Sequence, residues 1–154
     1  MKYEKKNEIL FFLVINLLVA GALSLQVSSH SGTENEIVKA RMASMKEIAA
    51  NLKGLAKVSR GNIPFNLSEV KDMLSIIEIN AAETPHLFEI NATDPTSEAA
   101  SEIWQNFQDF VDKSFALEST AKKLFDAVES VDDLEDAVKA LGGECKACHS
   151  KYRN

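Results

Sequence analysis

Apolar residues recur at steps of three and four along four separate blocks of this chain, and no other feature restricts its fold as much. Such a rhythm puts one apolar line along a 3.6-residue turn and leaves the other faces to water, so each block predicts an amphipathic helix. In the first block the line is Val38, Met42, Met45, Ala49, Leu52 and Ala56. This helix should end near SRGNIP, where Gly61 can take the left-handed cap and Pro64 bars continuation. In the second, Ser68 offers an N-cap, and Val70, Met73, Leu74, Ile77 and Ala81 form a line expected to stop before Thr84 and Pro85. The third, through Ile103, Phe107, Phe110, Leu117, Ala121, Leu124 and Val128, contains one step of seven and reads as the longest helix. The fourth opens on a Ser130–Asp133 capping box and continues through Leu134, Val138, Leu141, Cys145, Cys148 and Tyr152. Between the second and third, residues 85–97 mix turn formers with Leu87, Phe88 and Ile90 and read as a long connection packed partly on the core.

Four such stripes joined by three connections, two of them short, are buried most economically in an all-α, antiparallel up-down four-helix bundle. The composition agrees: among 154 residues there are only three prolines and six glycines. A net charge of -6 argues against nucleic acid as a partner, because phosphate counterions are displaced by clustered lysine and arginine.

The chain begins with Lys2, Lys5 and Lys6 ahead of an uncharged run from Ile9 to Leu25, the charged and apolar regions of a secretory signal. We expect residues 1–29 to be a signal peptide and residues 30–154 to be the exported domain. The run falls between a usual signal core and the roughly 20 residues of a membrane span, so an uncleaved membrane anchor is the alternative. Ala20-Gly21-Ala22 fits the small-residue cleavage rule best, and Val27-Ser28-Ser29 fits it more loosely.

Both cysteines of the chain lie near its end, in the sequence GGECKACHSKYR, where Cys145, Cys148 and His149 form C-x-x-C-H, the attachment signal for c-type haem. The spacing has a physical reason. Residues three apart on a helix point the same way, so two thiols reach two vinyl groups on one porphyrin edge while the next residue turns its imidazole to the iron. Three plainer uses compete. A disulfide would close too short a loop to stabilise much, a thioredoxin-like pair normally follows a strand, and zinc would need further ligands when only His30 and His86 remain as nitrogen donors. Gly142 and Gly143 just before the motif read either as a helix break or as room for a flat ring against the helix.

The closing segment LGGECKACHSKYR and the segment VKARMASMKEIAANLKGL resemble the last and first helices of the cytochrome c prime family, in a layout running from Glu34 to Arg153. The resemblance implies one haem c bound through Cys145 and Cys148, with His149 as the proximal iron ligand on the last helix. It places the position four after Arg41, here Met45, opposite His149, as in the family's low-spin branch. Methionine–histidine ligation implies a periplasmic mono-haem electron carrier rather than an enzyme, with redox proteins as partners and association of two copies through the first two helices as a further option. The alternative is the high-spin branch, in which Met45 only crowds a five-coordinate iron that binds nitric oxide or carbon monoxide. Met73 is a second candidate for the distal position. Arg41 is a candidate partner for a haem propionate, or else a solvated helix charge, and Arg153 resembles the family's proximal arginine. An exported helical interaction module with a small disulfide is the reading without haem.

Overall fold

A computed structural model describes residues 33–154; the expected signal peptide, residues 1–29, lies outside the described residues. The helices are α1 (Glu36–Ser59), α2 (Leu67–Leu87), the short α3 (Glu102–Gln105), α4 (Phe107–Ala127) and α5 (Leu134–Tyr152), the last preceded by a 3-10 turn over Val131–Asp133. Successive long helices pack on each other, α1 on α2, α2 on α4 and α4 on α5, and α5 closes the ring against α1. This is the expected all-α, up-down four-helix bundle. Among the described residues no helix is long and apolar enough to cross a membrane.

The ends of α1 follow directly from its sequence. The Asn35 side chain accepts from the amides of Ile37 and Val38 at 3.0 and 3.3 Å, satisfying donors that the first turn cannot. At the other end Gly61, at φ 71°, donates to the Val58 carbonyl at 2.9 Å, and Asn62 donates to Lys57 at 2.9 Å. That backbone is one a residue without Cβ adopts freely, so Gly61 ends the helix as the sequence indicated.

Its buried line differs from the expected one. Val38, Arg41, Ser44, Ile48, Leu55 and Val58 face inward, Met42, Met45, Leu52 and Ala56 are half-buried, and Ala49 is exposed. Counting only apolar residues rotated the stripe, because an arginine and a serine occupy positions on its inner side.

Two expectations for α2 are corrected. Its N-cap is Asn66 rather than Ser68: the Asn66 side chain accepts from Ser68 and Glu69, which makes Ser68 the second helical residue. The helix also does not stop before Thr84 and Pro85 but continues to Leu87. A proline in a helix removes the amide that would bond the carbonyl four residues earlier, here that of Ala81. The hydroxyl of Ser114 on α4 donates to this carbonyl at 2.7 Å in the buried interior, so the freed acceptor is not left unpaired. Ser114 is also the residue that fills the step of seven in the α4 stripe, between Phe110 and Leu117.

The third block is not one helix and is not the longest. Asn106, at φ -131° and ψ 46°, separates the four residues of α3 from the 21 of α4, whereas α1 has 24. The α5 entry matches expectation: the Asp133 carboxylate accepts from the amides of Glu129 and Ser130 at 3.1 and 2.8 Å, completing a capping box.

Replacing Ser114 with alanine should orphan the Ala81 carbonyl and lower stability by about 1–3 kcal/mol. The urea midpoint should fall at unchanged slope, and a midpoint equal to the unmodified protein's would show that this carbonyl needs no partner.

Candidate haem-attachment site

Helix α5 runs unbroken through Gly142 and Gly143 and carries Cys145, Cys148 and His149 on its last two turns. The helix-break reading of the glycine pair is therefore excluded, and the other reading gains support. A Cβ built on either glycine would meet nothing within 4 Å. Gly142 precedes His149 by seven residues, two turns at 3.6 residues each, so the open side of the helix lies in line with the imidazole.

The packing changes character over the same stretch. One core cluster joins Ile48, Leu55, Leu74, Ile77, Ala121 and Leu141 with their neighbours. A second, aromatic cluster joins Phe88, Ile103, Phe110 and Tyr152, with Cys148 packed against it. Along α5 the protein passes from the first cluster at Leu141 to the second at Cys148, and residues 142–147 lie between the two. Cys145 and Cys148 are both half-buried and unbridged. Burial pushes both thiols upward, Cys148 to about 11, with the nearby Lys113 acting in the opposite direction on Cys148. A thiol disfavoured as thiolate is the reverse of an activated redox pair, which further weakens the thioredoxin-like reading. Among the described residues no group of three or more His, Cys, Asp or Glu side chains could hold a metal ion, so the zinc reading gains no support either.

His149 has its pKa lowered, first by partial burial and then by the cationic Arg153, while Glu98 acts in the opposite sense. The neutral ring is the form with a nitrogen lone pair to offer a metal. Arg153 is the C-cap of α5, and its amide donates to the His149 carbonyl at 3.2 Å. Its side chain does not hang free: Nε donates to Glu98 Oε2 at 2.6 Å.

Arg41 is not a solvated helix charge, since it is 2% exposed. Its Nε donates to Leu87 at 2.8 Å, Nη1 to Ala92 at 2.9 Å, and Nη2 to Ile90. The guanidinium also lies over the rings of Phe88 and Trp104, at 4.5 and 5.3 Å from their centroids. These contacts use three of the five guanidinium N–H groups. No carboxylate among the described residues pairs with this charge. The Ser44 hydroxyl, one helical turn on, is buried and has no hydrogen-bond partner among the described residues.

Met45 is half-buried on α1, packed against the larger cluster, and α1 adjoins α5. Met73 is placed differently: a Cβ on Gly54 would come within 2.5 Å of its sulfur, so that thioether rests on the backbone of α1 at the α1–α2 contact. The structure thus separates two methionines that periodicity could not.

Sequence reasoning missed Glu98, Asp109 and the aromatic cluster. Tyr152 donates to Asp109, Lys151 Nζ donates to the same carboxylate at 2.8 Å, and Trp104 Nε1 donates to the Phe88 carbonyl at 2.8 Å. No local signal marks Glu98 or Asp109, because each meets its partner from more than forty positions away.

The family model described as Cytochrome C' matches residues 36–153. Cytochrome c-556 of Agrobacterium tumefaciens (strain II Chrys) is 33% identical over 117 residues, covering 75% of this chain and 95% of that protein. Among solved structures, cytochrome c' of Rhodopseudomonas palustris aligns with a TM-score of 0.73 at 23% identity, over 79% of this chain and 98% of that one. The oxidised cytochrome c556 of Rhodopseudomonas palustris aligns with a TM-score of 0.70 at 21% identity, over 77% and 95%. At these identities the structural likeness establishes a shared fold.

The hydrogen bonds from Lys151 and Tyr152 hold the Asp109 carboxyl below its usual range. A depressed carboxylate contributes stability above its unfolded value, about 3.9, and loses it as pH falls through the folded value. Amide-exchange protection over the last turn of α5 should therefore fall as pH drops below about 4. In Asp109→Asn it should already be reduced at neutral pH and respond less to acid; protection that responds to acid identically in both proteins would contradict this.

Proposed function

Because the chain belongs to the cytochrome c' family, matched over residues 36–153, we propose that it is a mono-haem electron carrier whose iron is held between His149 and Met45. The observation that carries this reading is the unbroken α5 presenting Cys145, Cys148 and His149 beside a side of the helix kept open at Gly142 and Gly143. When bound, the haem supplies a one-electron iron couple. Cys145 and Cys148 hold its edge as thioethers, and His149 provides the proximal nitrogen.

Met45 provides the distal sulfur. Its half-buried place on a helix adjoining α5 suits that role, and the competing Met73 is occupied against Gly54. A thioether opposite histidine favours the reduced iron and leaves no position for a substrate, which is why we read a carrier and not an enzyme. Its partners are then redox proteins. Arg41 meets a propionate: a buried cation without a carboxylate costs several kcal/mol, and its two uncommitted N–H groups suit an anion. Arg153 stands on the proximal side, where its charge acts on His149. Residues 1–29 direct export to the periplasm as a cleaved signal, or hold the protein at the membrane if uncleaved.

The absorption spectrum of matured, reduced protein tests this. A sharp low-spin pattern indifferent to carbon monoxide is expected, and Met45→Ala should convert it to a high-spin, gas-responsive one with a lower reduction potential. A wild-type spectrum that is already high-spin and shifts with carbon monoxide would replace the carrier with the five-coordinate gas binder. An unchanged low-spin spectrum in Met45→Ala would remove Met45 from the ligand set. Denatured protein should keep its haem, and Cys145→Ala/Cys148→Ala should release it.

A further inference from the structure

The iron-binding histidine proposed above stands on the last turn of α5. The last turn of a helix frays when nothing ties it down, because its final carbonyls have no partners within the helix. Here it is tied down from outside. The amide of Ala100 donates to the Tyr152 carbonyl at 3.0 Å, and that of Asn154 donates to the Glu98 carbonyl at 2.9 Å, so Ala99 and Arg153 form an isolated antiparallel bridge. The Glu98 side chain closes the same strip by pairing with Arg153, whose own amide bonds the His149 carbonyl. From the other side Asp109 takes both Tyr152 and Lys151.

We infer that Glu98, contributed by the long connection before α3, is a positioning residue for His149: it pins Arg153, closes the last turn of α5, and offsets the arginine's charge beside the imidazole. The inference rests on His149 as proximal ligand and is independent of what stands on the opposite side of the iron. Two consequences separate the tasks. Arg153 left without its counter-charge makes the region of the iron more positive and favours the reduced state. Loss of the side-chain acceptor itself loosens the turn.

The test uses matured holoprotein and two variants. Glu98→Gln keeps an oxygen for Arg153 Nε and removes the charge, and Glu98→Ala removes both. In both, the reduction potential should rise at low ionic strength, and the rise should shrink as salt is added, since the pair is partly exposed to solvent. Exchange of the Arg153 amide should stay near that of the unmodified protein in Glu98→Gln and become about tenfold faster in Glu98→Ala, as expected for a lost charge-assisted bond. A potential unchanged in both variants would leave Glu98 a purely structural group and overturn the inference, whatever happens to exchange or melting. Failure of Met45 as the distal ligand would appear separately, in the spectrum of the unmodified protein.

Discussion

The buried guanidinium of Arg41 holds the aromatic end of this bundle together. It reaches from the inner side of α1 to the last carbonyl of α2 and to two carbonyls of the following connection. The Leu87 and Ala92 carbonyls have no backbone donor of their own, at a helix end and in an irregular segment, while the Ile90 carbonyl also accepts from the Ala92 amide at 2.8 Å. By gathering them the arginine fixes where Phe88 lies, and Phe88 in turn packs against Phe110 and Trp104. Cys148 and Tyr152 rest on the same aromatic cluster. The position of the attachment motif therefore depends on a charge on the neighbouring helix α1, through a chain of ordinary contacts.

A second constraint works in the same way. Pro85 deprives the Ala81 carbonyl of its helical partner, and Ser114 supplies a hydroxyl from α4. Each residue taken alone is a defect, a proline in a helix and a polar group on an apolar stripe. Together they satisfy one another. The same logic recurs at Trp104, whose indole donates to the Phe88 carbonyl, and at Thr84, whose hydroxyl donates to Asn80. This end of the bundle is specified by hydrogen bonds, whereas the end around Leu55, Leu74 and Leu134 is specified by apolar packing.

Membership of the cytochrome c' family fits this division of labour. The apolar end is a generic bundle core, and the end with the aromatic cluster carries the cysteines, the histidine and the ion pairs around them. Ser44 and Arg41 are the two polar groups of α1 that the described protein leaves incompletely satisfied, one without a hydrogen bond and one without a counter-ion. Buried groups of this kind are rare unless something else completes them. They stand on the same helix as Met45, which is where a cofactor with carboxylate substituents would meet α1 under the proposed reading.

The sequence by itself determined the helical class, the four-helix bundle, the Gly61 cap, the Ser130–Asp133 entry to α5 and the C-x-x-C-H triplet. The caps, the helix stripes and the triplet are each written in residues a few positions apart, and four such stripes with short connections have few ways to be buried, so local spacing and backbone preference suffice. The tertiary structure decided what depends on partners far along the chain: the inward turn of Arg41, the survival of α2 through Pro85, the break at Asn106, the confinement of Met73 against Gly54, and the clamp of Glu98 and Asp109 on the last turn. The physical reason is the same in every case. A polar or bulky residue that looks misplaced in a local pattern becomes favourable only when a donor, acceptor or open space is delivered by another helix, and periodicity in one segment carries no information about what its neighbour will deliver.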